Sequence, residues 1–564
     1  MINKLELTWV GKYENEEIEP RILIENNEKS YGDKDTGNML IHGDNLLALK
    51  ALEQKMGGKI KCIYIDPPYN TGSAFENYDD NVEHSLWLSL MKDRLELLKK
   101  LLSEQGVIFI QIDDGEQAYL KILCDEIFGR NNFVNCIAIK MSPSSGVKRR
   151  FANIKFIKNK EYILVYKKES LEIKPIFDKI EEYDVNYTIF YDGKELTSLA
   201  EKIKLIDLKY AEVSTKDYLK FPEIKKYIMK NKNNIYRRHG HSKWVIGNIN
   251  DNNLEYKKCE KMVSRSHIWR VNNPNNLEEY ELIMNTGSEN KVGYERLEPL
   301  SWKVIDDELT LLRGDFWDGY ESDMGNVSKE GIINTKVFGE GQKPERLIRD
   351  ILYATTEEGD YVLDSFLGSG TTCAVAHKMK RKWIGIELGE QCYTHCKIRI
   401  DNVIKGEKTG ISNSVNWKGG GGYRFYELAP TLIKTDSFGQ SIINKEYNAD
   451  MLAAAVALHE GFRYNPSKEK FWKQSEGNEK SYLYVTTKFL NKEDIENIKT
   501  DMEDNEFLII ACTAYDKSIE GLYKNIRIKK IPEMLLSKCE FGKDNYNLNI
   551  INPPEYEEEI EDDE

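Results

Sequence analysis

Four consecutive residues, Asp66-Pro67-Pro68-Tyr69, follow a short apolar run and carry the groups needed to hold a flat molecule with an amino group. The two prolines keep the backbone extended and remove two N–H donors, so their carbonyl oxygens remain as acceptors. A carboxylate beside such a carbonyl can accept both hydrogens of an –NH2 group. The aromatic ring that follows offers a face on which a base can stack. Residues 66–69, here called the DPPY segment, therefore predict chemistry at an exocyclic amino group.

A second run of residues, Asp364 to Thr372, has the composition of a ligand-binding turn between a strand and a helix. We call this run the glycine turn. Its small residues let the backbone approach a ligand, and the start of the following helix favours electronegative groups. Glu387 closes the next strand, where a carboxylate can accept hydrogen bonds from ribose hydroxyls. Because the turn is neither a phosphate-binding P-loop nor G-x-G-x-x-G, these features favour an adenosine-containing cofactor other than a nicotinamide dinucleotide.

Both groups of residues lie at the ends of apolar runs that are typical of buried parallel strands. The predicted strands are 59–66, 107–112, 134–139, 162–166, 361–363 and 383–386, and the predicted helices are 45–55, 86–102, 345–354 and 374–379. Strands that alternate with helices predict an open α/β sheet. Ligands of such sheets bind outside the carboxyl ends of the strands, so we expect the two groups to line one site.

This alternation fades between about residue 170 and residue 335, which predicts an inserted domain. We therefore expect two halves of a catalytic domain over 1–145 and 336–430, with an insertion over 146–335. Residues 431–564 form a predicted C-terminal module with its own helix and strands, of α+β type. This module ends in the acidic run Glu557–Glu564.

Composition predicts a soluble cytoplasmic protein. Of 564 residues, 40% are hydrophobic and 31% charged, and no apolar run reaches the length of a membrane span. The N-terminus lacks the apolar core of a signal peptide, and nine scattered cysteines suit reduced core positions. Cys392, His395 and Cys396 are too few for a zinc site and fit one face of a helix, so no metal is expected.

The net charge of −14, taken alone, counts against a nucleic-acid partner. Phosphate is bound by the local field, however, and two basic stretches lie in the middle of the chain. A solvated lysine-rich surface is the alternative interpretation. The residues predicted to contact DNA phosphates are Lys148, Arg149, Arg150, Arg237 and Arg238.

The DPPY segment and the glycine turn resemble the catalytic and cofactor motifs of amino-group DNA methyltransferases. The catalytic motif comes first, and 298 residues separate Asp66 from Asp364, which is the order of the beta group with room for a target-recognition insertion. The chain is more closely similar to the modification (Mod) subunit of type III restriction–modification systems over about 35–170 and 335–430. The matching motifs are 40–45, 66–71, 161–166, Lys343-Pro344 and 420–424.

This resemblance implies a Rossmann-like fold that binds S-adenosylmethionine and methylates an amino group of a base flipped out of double-stranded DNA. The catalytic residues would be Asp66 and the Pro67 carbonyl, which hold the amino group, together with Pro68 and Tyr69, whose ring stacks on the base. Asp44 would lie near the adenine of the cofactor and Glu387 would bind its ribose. The implied cofactor residues are Asp44, Asp364, Phe366, Gly368, Ser369, Gly370, Thr371 and Glu387.

Asp in the first position of the DPPY segment resembles the adenine-N6 enzymes, whereas Ser is the usual residue in cytosine-N4 enzymes. The absence of a Pro-Cys pair disfavours cytosine C5 methylation. The family analogy also implies a homodimer and a separate restriction subunit with ATPase and nuclease activity. Two alternatives stay open, a solitary methyltransferase of adenine N6 or cytosine N4 and a non-catalytic DNA-binding or assembly protein. The recognition sequence is not predicted.

Overall fold

The fold is divided into two compact units. A computed structural model describes residues 6–13, 18–69, 80–142, 156–239, 268–273, 276–285, 294–324, 329–331, 342–536, 539 and 541. Unit 1 is built from Met1–Lys174 and Gly314–Glu564, and unit 2 is Pro175–Arg313. Across these described ranges, every helix is too short or too polar to cross a lipid bilayer.

The N-terminal part of unit 1 contributes six strands and three α-helices. They are β1 (Leu23–Gly32), β2 (Met39–His42), α1 (Asn45–Met56), β3 (Ile60–Ile65), α2 (Asp80–Leu101), β4 (Leu102–Ile112), α3 (Gln117–Cys124), β5 (Phe133–Lys140) and β6 (Lys160–Lys167). Helix α1 starts where the sequence predicts because the side chain of Asp44 accepts a hydrogen bond from the backbone N–H of Leu47.

Unit 2 is mainly antiparallel. Its elements are β7 (Phe177–Lys179), β8 (Ile189–Tyr191), β9 (Leu196–Ser198), α4 (Leu199–Lys204), α5 (Pro222–Lys230), β10 (Ile235–His239), β11 (Ile268–Asn273), β12 (Asn276–Asn285), β13 (Tyr294–Pro299), β14 (Val304–Ile305) and β15 (Glu308–Leu312). Six strands form a sheet in the order β11-β12-β13-β10-β8-β9, and three form another in the order β14-β15-β7. Tyrosine and isoleucine side chains dominate the hydrophobic core of unit 2.

The chain then returns to unit 1. The remaining elements are β16 (Phe316–Trp317), α6 (Glu321–Met324), α7 (Glu345–Thr355), β17 (Tyr361–Asp364), α8 (Thr371–Lys378), β18 (Lys382–Glu387), α9 (Ile398–Ile404), β19 (Gly422–Leu428), β20 (Ile433–Thr435), β21 (Ser441–Ile443), α10 (Ala449–Glu460), β22 (Arg463–Tyr464), β23 (Ser475–Glu476), β24 (Ser481–Thr486), α11 (Lys492–Asp501), β25 (Phe507–Cys512), β26 (Ile526–Lys530) and α12 (Glu533–Leu536). Within the predicted C-terminal module, β22 to β26 form one sheet in chain order.

Unit 2 is shorter than the predicted insertion 146–335. The flanking strands β6 and β16 fall inside that predicted range, yet both belong to the large sheet of unit 1. The C-terminal residues also group with unit 1, although they have cores of their own.

Ten strands of unit 1 form one mixed sheet in the order β1-β19-β2-β18-β17-β3-β4-β6-β5-β16. The six strands from β19 to β4 run parallel, as an open α/β sheet requires. The predicted fold class is therefore confirmed. Strand β6, expected within the parallel pattern, instead pairs antiparallel with both β4 and β5. A strand buried on both faces has no sequence signature of its direction.

Helices cover both faces of this sheet. Side chains alternate along β3, and Ile63 and Ile65 join one core with residues of α1 and α2. Cys62 lies on the opposite face, and its thiol is hydrogen-bonded to the side chain of Thr355 at the end of α7. The sheet is thus the middle layer of three, and its strand ends are the places open to a ligand.

Candidate active site

The two predicted groups of residues meet at one edge of the large sheet. Strands β3 and β17 are parallel neighbours, with Leu363 opposite Ile63. Asp66 follows the last residue of β3, and Asp364 is the last residue of β17. Strand β4, which follows β3 in the chain, lies on one side of this pair, and β18, which follows β17, lies on the other. This is a topological switch point, where the connecting loops diverge and leave a crevice for a ligand.

The carboxylate of Asp66 is held on both of its oxygens. Oδ1 accepts a hydrogen bond of 2.7 Å from the Tyr69 hydroxyl, and Oδ2 lies 3.0 Å from Lys343 Nζ. Burial raises the pKa of Asp66, and the Lys343 ammonium and the Tyr69 hydroxyl offset part of that rise. A carboxylate has about four lone-pair positions, so two remain for another donor such as an amino group.

Two further residues complete this part of the site. Glu161, in β6, has Oε2 3.0 Å from the Tyr69 hydroxyl and 3.7 Å from Lys343 Nζ. Lys343 Nζ also lies 5.2 Å from the centroid of the Tyr69 ring. Both residues appear in the sequence motifs 161–166 and Lys343-Pro344, but nothing in a linear pattern indicates that their charged groups converge on Asp66.

The two prolines have different surroundings. The Pro68 carbonyl accepts a hydrogen bond of 2.8 Å from the indole N–H of Trp87, which is fully buried in α2. Its oxygen is therefore already used, contrary to the expectation that both proline carbonyls are free. For the Pro67 carbonyl, no donor is found among the residues that the structure describes. Of the two carbonyls, that of Pro67 is therefore the one suited to accept a hydrogen of an amino group beside Asp66. We call the Asp66 carboxylate and the Pro67 carbonyl the amino clamp, or the clamp.

The glycine turn brings its backbone close to the neighbouring helix. Gly368 and Gly370 have φ values of 55° and 85°, in the left-handed region that favours glycine. A Cβ atom on Gly370 would lie 3.2 Å from the Cα of Cys396. The Cys396 thiol donates to the Gly368 carbonyl over 3.0 Å. Cys396 thus supports the turn, and no cluster of three or more metal-binding side chains occurs in the described parts of the chain.

Four side chains of the turn make hydrogen bonds within the protein. Asp364 accepts from the backbone N–H of Phe366 over 3.0 Å and from the Thr372 hydroxyl over 2.6 Å. Arg399, in α9, donates to the hydroxyl of Thr371 over 2.8 Å and to that of Ser369 over 3.4 Å. These bonds fix the shape of the turn, so its contribution to binding comes mainly from the backbone.

Glu387 lies where the sequence predicts, at the end of β18 next to the glycine turn. Oε2 accepts from the backbone N–H of Gly368 over 2.7 Å, and Oε1 accepts from the N–H of Gly389 and from the Gln391 side chain. Burial raises the pKa of Glu387, and the backbone donors offset part of that effect. Three donors leave one lone-pair position for a hydroxyl group.

Asp44 has a structural role in addition to its predicted contact with a cofactor. Oδ1 caps helix α1 by accepting from Leu47 N over 3.0 Å, and Oδ2 lies 3.3 Å from the guanidinium of Arg94. The next residue, Asn45, donates to the Ser365 carbonyl over 2.8 Å. The start of α1 is thereby tied to the first residues of the glycine turn.

The site fits the cofactor that the resemblance implies. S-adenosylmethionine offers ribose hydroxyls as donors, and Glu387 has a remaining acceptor position at the strand end. The Ser365 hydroxyl oxygen is buried and has no hydrogen-bond partner among the described residues. A bound ligand is one physical reason for such a buried polar atom. The left-handed glycines next to it leave the backbone open to close approach.

The predicted DNA contacts are placed only in part. Lys148, Arg149 and Arg150 lie outside the described residues. In unit 2, the guanidinium of Arg237 is 2.9 Å from Glu298 Oε1, whereas Arg238 is more exposed and lies 3.7 Å from Glu295. The positive charge of Arg237 is thus largely balanced within unit 2.

The basic stretch before β6 is also partly neutralised. Lys158 and Lys160 pair with Asp113 and Asp114, which follow β4, at 2.7 and 2.6 Å. These pairs lie at the sheet edge that carries Asp66, because the start of β6 lies opposite the end of β4. Phe156 in the same stretch is fully exposed. An exposed aromatic ring between basic residues suits contact with nucleic acid more than packing in a core.

Comparison with known proteins agrees with this geometry. The profile of a family described as DNA methylase matches residues 60–397, which include the DPPY segment, Lys343 and the glycine turn. A Haemophilus influenzae protein named "Probable type III restriction-modification enzyme HindVI Mod subunit" is 36% identical over 465 residues, 77% of this chain and 59% of that protein.

Two other relatives are more distant. The "Type III restriction-modification enzyme EcoPI Mod subunit" of Escherichia phage P1 is 28% identical over 72% of this chain and 65% of its own length. The "Type II methyltransferase M.KpnI" of Klebsiella pneumoniae is 28% identical over 60% of this chain and 76% of its own. The chain thus spans about three fifths to two thirds of the length of the two Mod subunits. The family match covers more than half of the chain and includes both halves of the site, and the chain belongs to the DNA methylase family.

Proposed function

We propose that the chain is a site-specific DNA methyltransferase that transfers a methyl group from S-adenosylmethionine to N6 of an adenine flipped out of double-stranded DNA. We further propose that it is the modification subunit of a type III restriction–modification system, acting in the cytoplasm. The observation that carries the first proposal is the position of Asp66 and the Pro67 carbonyl beside the glycine turn, at the ends of two adjacent parallel strands.

The proposed reaction requires the protein mainly to position the methyl donor and the target amino group. S-adenosylmethionine supplies a methyl group activated by a positively charged sulfur. The lone pair of an adenine amino nitrogen is delocalised into the ring, so the amino group must be turned before it can react. Asp66 and the Pro67 carbonyl would accept its two hydrogens and hold that orientation. The nitrogen gives up one proton on methylation, and Asp66 is the base nearest to it.

A base must leave the duplex to reach this clamp. The Tyr69 ring, held by hydrogen bonds from its hydroxyl, would provide the face on which the flipped base stacks. Asp as the first residue of the DPPY segment favours adenine over cytosine N4. Glu387 and the backbone of the glycine turn would hold the ribose and the methionine part of the cofactor.

The relatives support a type III system but leave a second candidate. Two of them are named Mod subunits of type III enzymes, one at 36% identity. The match to the relative named as a type II methyltransferase spans a larger share of that relative's length than the matches to the two Mod subunits span of theirs. That observation favours, as the second candidate, a DNA amino-methyltransferase without an ATPase–nuclease partner.

Replacing Asp66 tests the catalytic assignment. We expect Asp66→Ala to reduce methyl incorporation into DNA by about 100- to 1000-fold or more, because the amino group loses its charged acceptor. Binding of S-adenosylmethionine and of DNA, measured by calorimetry and by anisotropy, should change only a few-fold. Asp35→Ala, at an exposed carboxylate of the same unit, is the control. Full activity of Asp66→Ala would refute the assignment.

Sequencing of native DNA for modified bases tests the target. DNA from cells that express the chain should carry N6-methyladenine at one short sequence, and DNA from cells without it should not. N4-methylcytosine at the site would instead identify a cytosine-N4 enzyme. Co-purification with an ATPase–nuclease polypeptide, and light scattering of the full chain, test the proposed restriction partner and homodimer.

A further inference from the structure

Lys343 is a buried cation placed directly on the DPPY segment by the other half of the site. Its side chain is 11% exposed, and Nζ lies 3.0 Å from Asp66 Oδ2. The backbone is fixed on both sides, because the Thr371 hydroxyl donates to the Lys343 carbonyl over 3.3 Å and Pro344 precedes helix α7. The ammonium group is therefore held at the clamp by residues from the cofactor half of the site.

This cation compensates two carboxylates that compete for one hydroxyl. Asp66 Oδ1 and Glu161 Oε2 lie 2.7 and 3.0 Å from the oxygen of Tyr69, which has a single hydrogen to donate. Glu161 also accepts from the fully buried Gln111, which in turn accepts from Tyr64. Like charges this close disfavour joint ionisation unless a cation lies between them.

The charged and titratable groups around Asp66 come from every element that packs there. Among the described residues they are Lys343 before α7, Tyr69 in the same loop, Glu161 in β6, Tyr64 in β3 and Asp364 at the end of β17. All of these except Lys343 are neutral or negative. Of these described groups, Lys343 is the one cation that favours the ionised form of Asp66.

We propose that Lys343 is a positioning residue that keeps Asp66 ionised and oriented as an acceptor for the target amino group, against the opposing charge of Glu161. This inference rests on the proposed function. A carboxylate is acceptor-only when ionised, whereas its protonated form presents an O–H donor toward the amino hydrogens. Without Lys343, Asp66 would hold a proton at a pH where the wild-type group has lost it.

The test is the pH dependence of methyl transfer. Single-turnover rates are measured between pH 5.5 and 9.5 with labelled S-adenosylmethionine and genomic DNA from a strain that lacks the gene. We expect the acid limb of Lys343→Met to move upward by about one pH unit or more, which is about tenfold in rate at a pH on that limb, with recovery at high pH. Lys343→Arg should keep a profile near that of the wild type.

A double variant separates a charge effect from a packing effect. In Lys343→Met/Glu161→Gln, the opposing charge is removed together with the cation, so the acid limb should move back toward the wild-type position. A merely structural role predicts no such rescue, since the second substitution adds a further change to the site. Lys174→Met, at a surface lysine paired with Glu357, is the control and should leave the profile unchanged.

The outcomes distinguish this inference from the proposed function. If the wild-type chain transfers no methyl group to the genomic DNA from the strain that lacks the gene, the proposed function is wrong. If the wild type is active and Lys343→Met loses activity equally at every pH, or keeps the wild-type limb, the role of Lys343 is wrong. If Lys343→Met does not fold, Glu161→Gln alone decides: its acid limb must move to lower pH, and an unmoved limb overturns the inference.

Discussion

The carboxyl group of Asp364 shows how far a buried position changes the chemistry of one residue. Burial, with the nearby charges of Asp66 and Glu387, raises its pKa from 3.8 to about 7, although the Thr372 hydroxyl and the Phe366 N–H oppose the rise. The folded chain then holds a proton that the unfolded chain releases between about pH 4 and pH 7. Stability from this group is present below pH 4 and is lost as pH rises through 7.

We therefore predict that Asp364→Asn stabilises the fold more at pH 8 than at pH 5. The amide cannot ionise and can still accept from the Phe366 N–H. The gain at pH 8 is at most a few kcal/mol, because about 1.4 kcal/mol corresponds to each pKa unit. Thermal unfolding at both pH values measures the difference in Tm between variant and wild type. A difference in Tm that is the same at both pH values would contradict the prediction.

At the residue scale, the DPPY segment could be identified from sequence because its four members are contiguous. The structure brings the carboxylate of Asp66 and the hydroxyl of Tyr69 together, while stacking of a base on the Tyr69 ring stays a prediction. Lys343 and Glu161 could not be assigned in this way, since their roles arise from parallel and antiparallel strand pairing that brings distant residues together. A lysine before a helix and a glutamate in a strand usually face solvent, and burial reverses that expectation.

At the scale of elements, a buried ionic network joins the helices behind the glycine turn. Lys378, at the end of α8, contacts Glu345 of α7 at 2.7 Å and also Glu407. Arg399 of α9 lies 2.9 Å from the same Glu345, and its guanidinium also bonds to Thr371. Since Glu345 is two residues from Lys343, the network fixes both the cation at the clamp and the glycine turn.

We predict that Lys378→Met destabilises the fold by about 3–5 kcal/mol, because it leaves the carboxylate of Glu407 without its cation and that of Glu345 with Arg399 alone. The matched control is Lys380→Met, two residues away, whose side chain is 67% exposed and whose Nζ lies 3.3 Å from Glu358. We expect the control to change stability by less than about 1 kcal/mol. Urea unfolding followed by circular dichroism compares the two variants, and equal effects would argue against the importance of the network.

Element positions follow the sequence closely where apolar periodicity is strong. Helix α1 begins at its predicted first residue, and strand β4 ends at the predicted last residue of the strand 107–112. The exception is Gly106, which lies between the predicted helix 86–102 and the predicted strand 107–112, where a glycine is typical of the end of a helix. It lies inside β4 at a register shift, where a Cβ atom would be 2.9 Å from the Ile60 carbonyl oxygen. A glycine required by close backbone approach has the same sequence signature as one that ends a helix.

At the scale of the whole molecule, the DNA binding proposed for this acidic chain requires local positive charge. A net charge of −14 gives no general attraction for phosphate. Several basic residues of the middle region are balanced by carboxylates, as the pairs of Lys158 with Asp113 and of Arg237 with Glu298 illustrate. A lysine-rich stretch in sequence therefore overstates the free positive charge, since the partners come from distant parts of the chain.

The predicted phosphate contacts at Arg149 and Arg150 can be tested against such a balanced residue. Each phosphate contact contributes about 0.9 to the slope of log affinity against log salt concentration, so Arg149→Gln/Arg150→Gln should lower that slope by about 2. Arg237→Gln should lower it less, because Glu298 already pairs with that guanidinium. Anisotropy titrations of a labelled duplex at several salt concentrations measure both slopes. If the double variant kept the wild-type slope, the two arginines would not contact phosphates, and the charge that holds DNA would have to come from other residues.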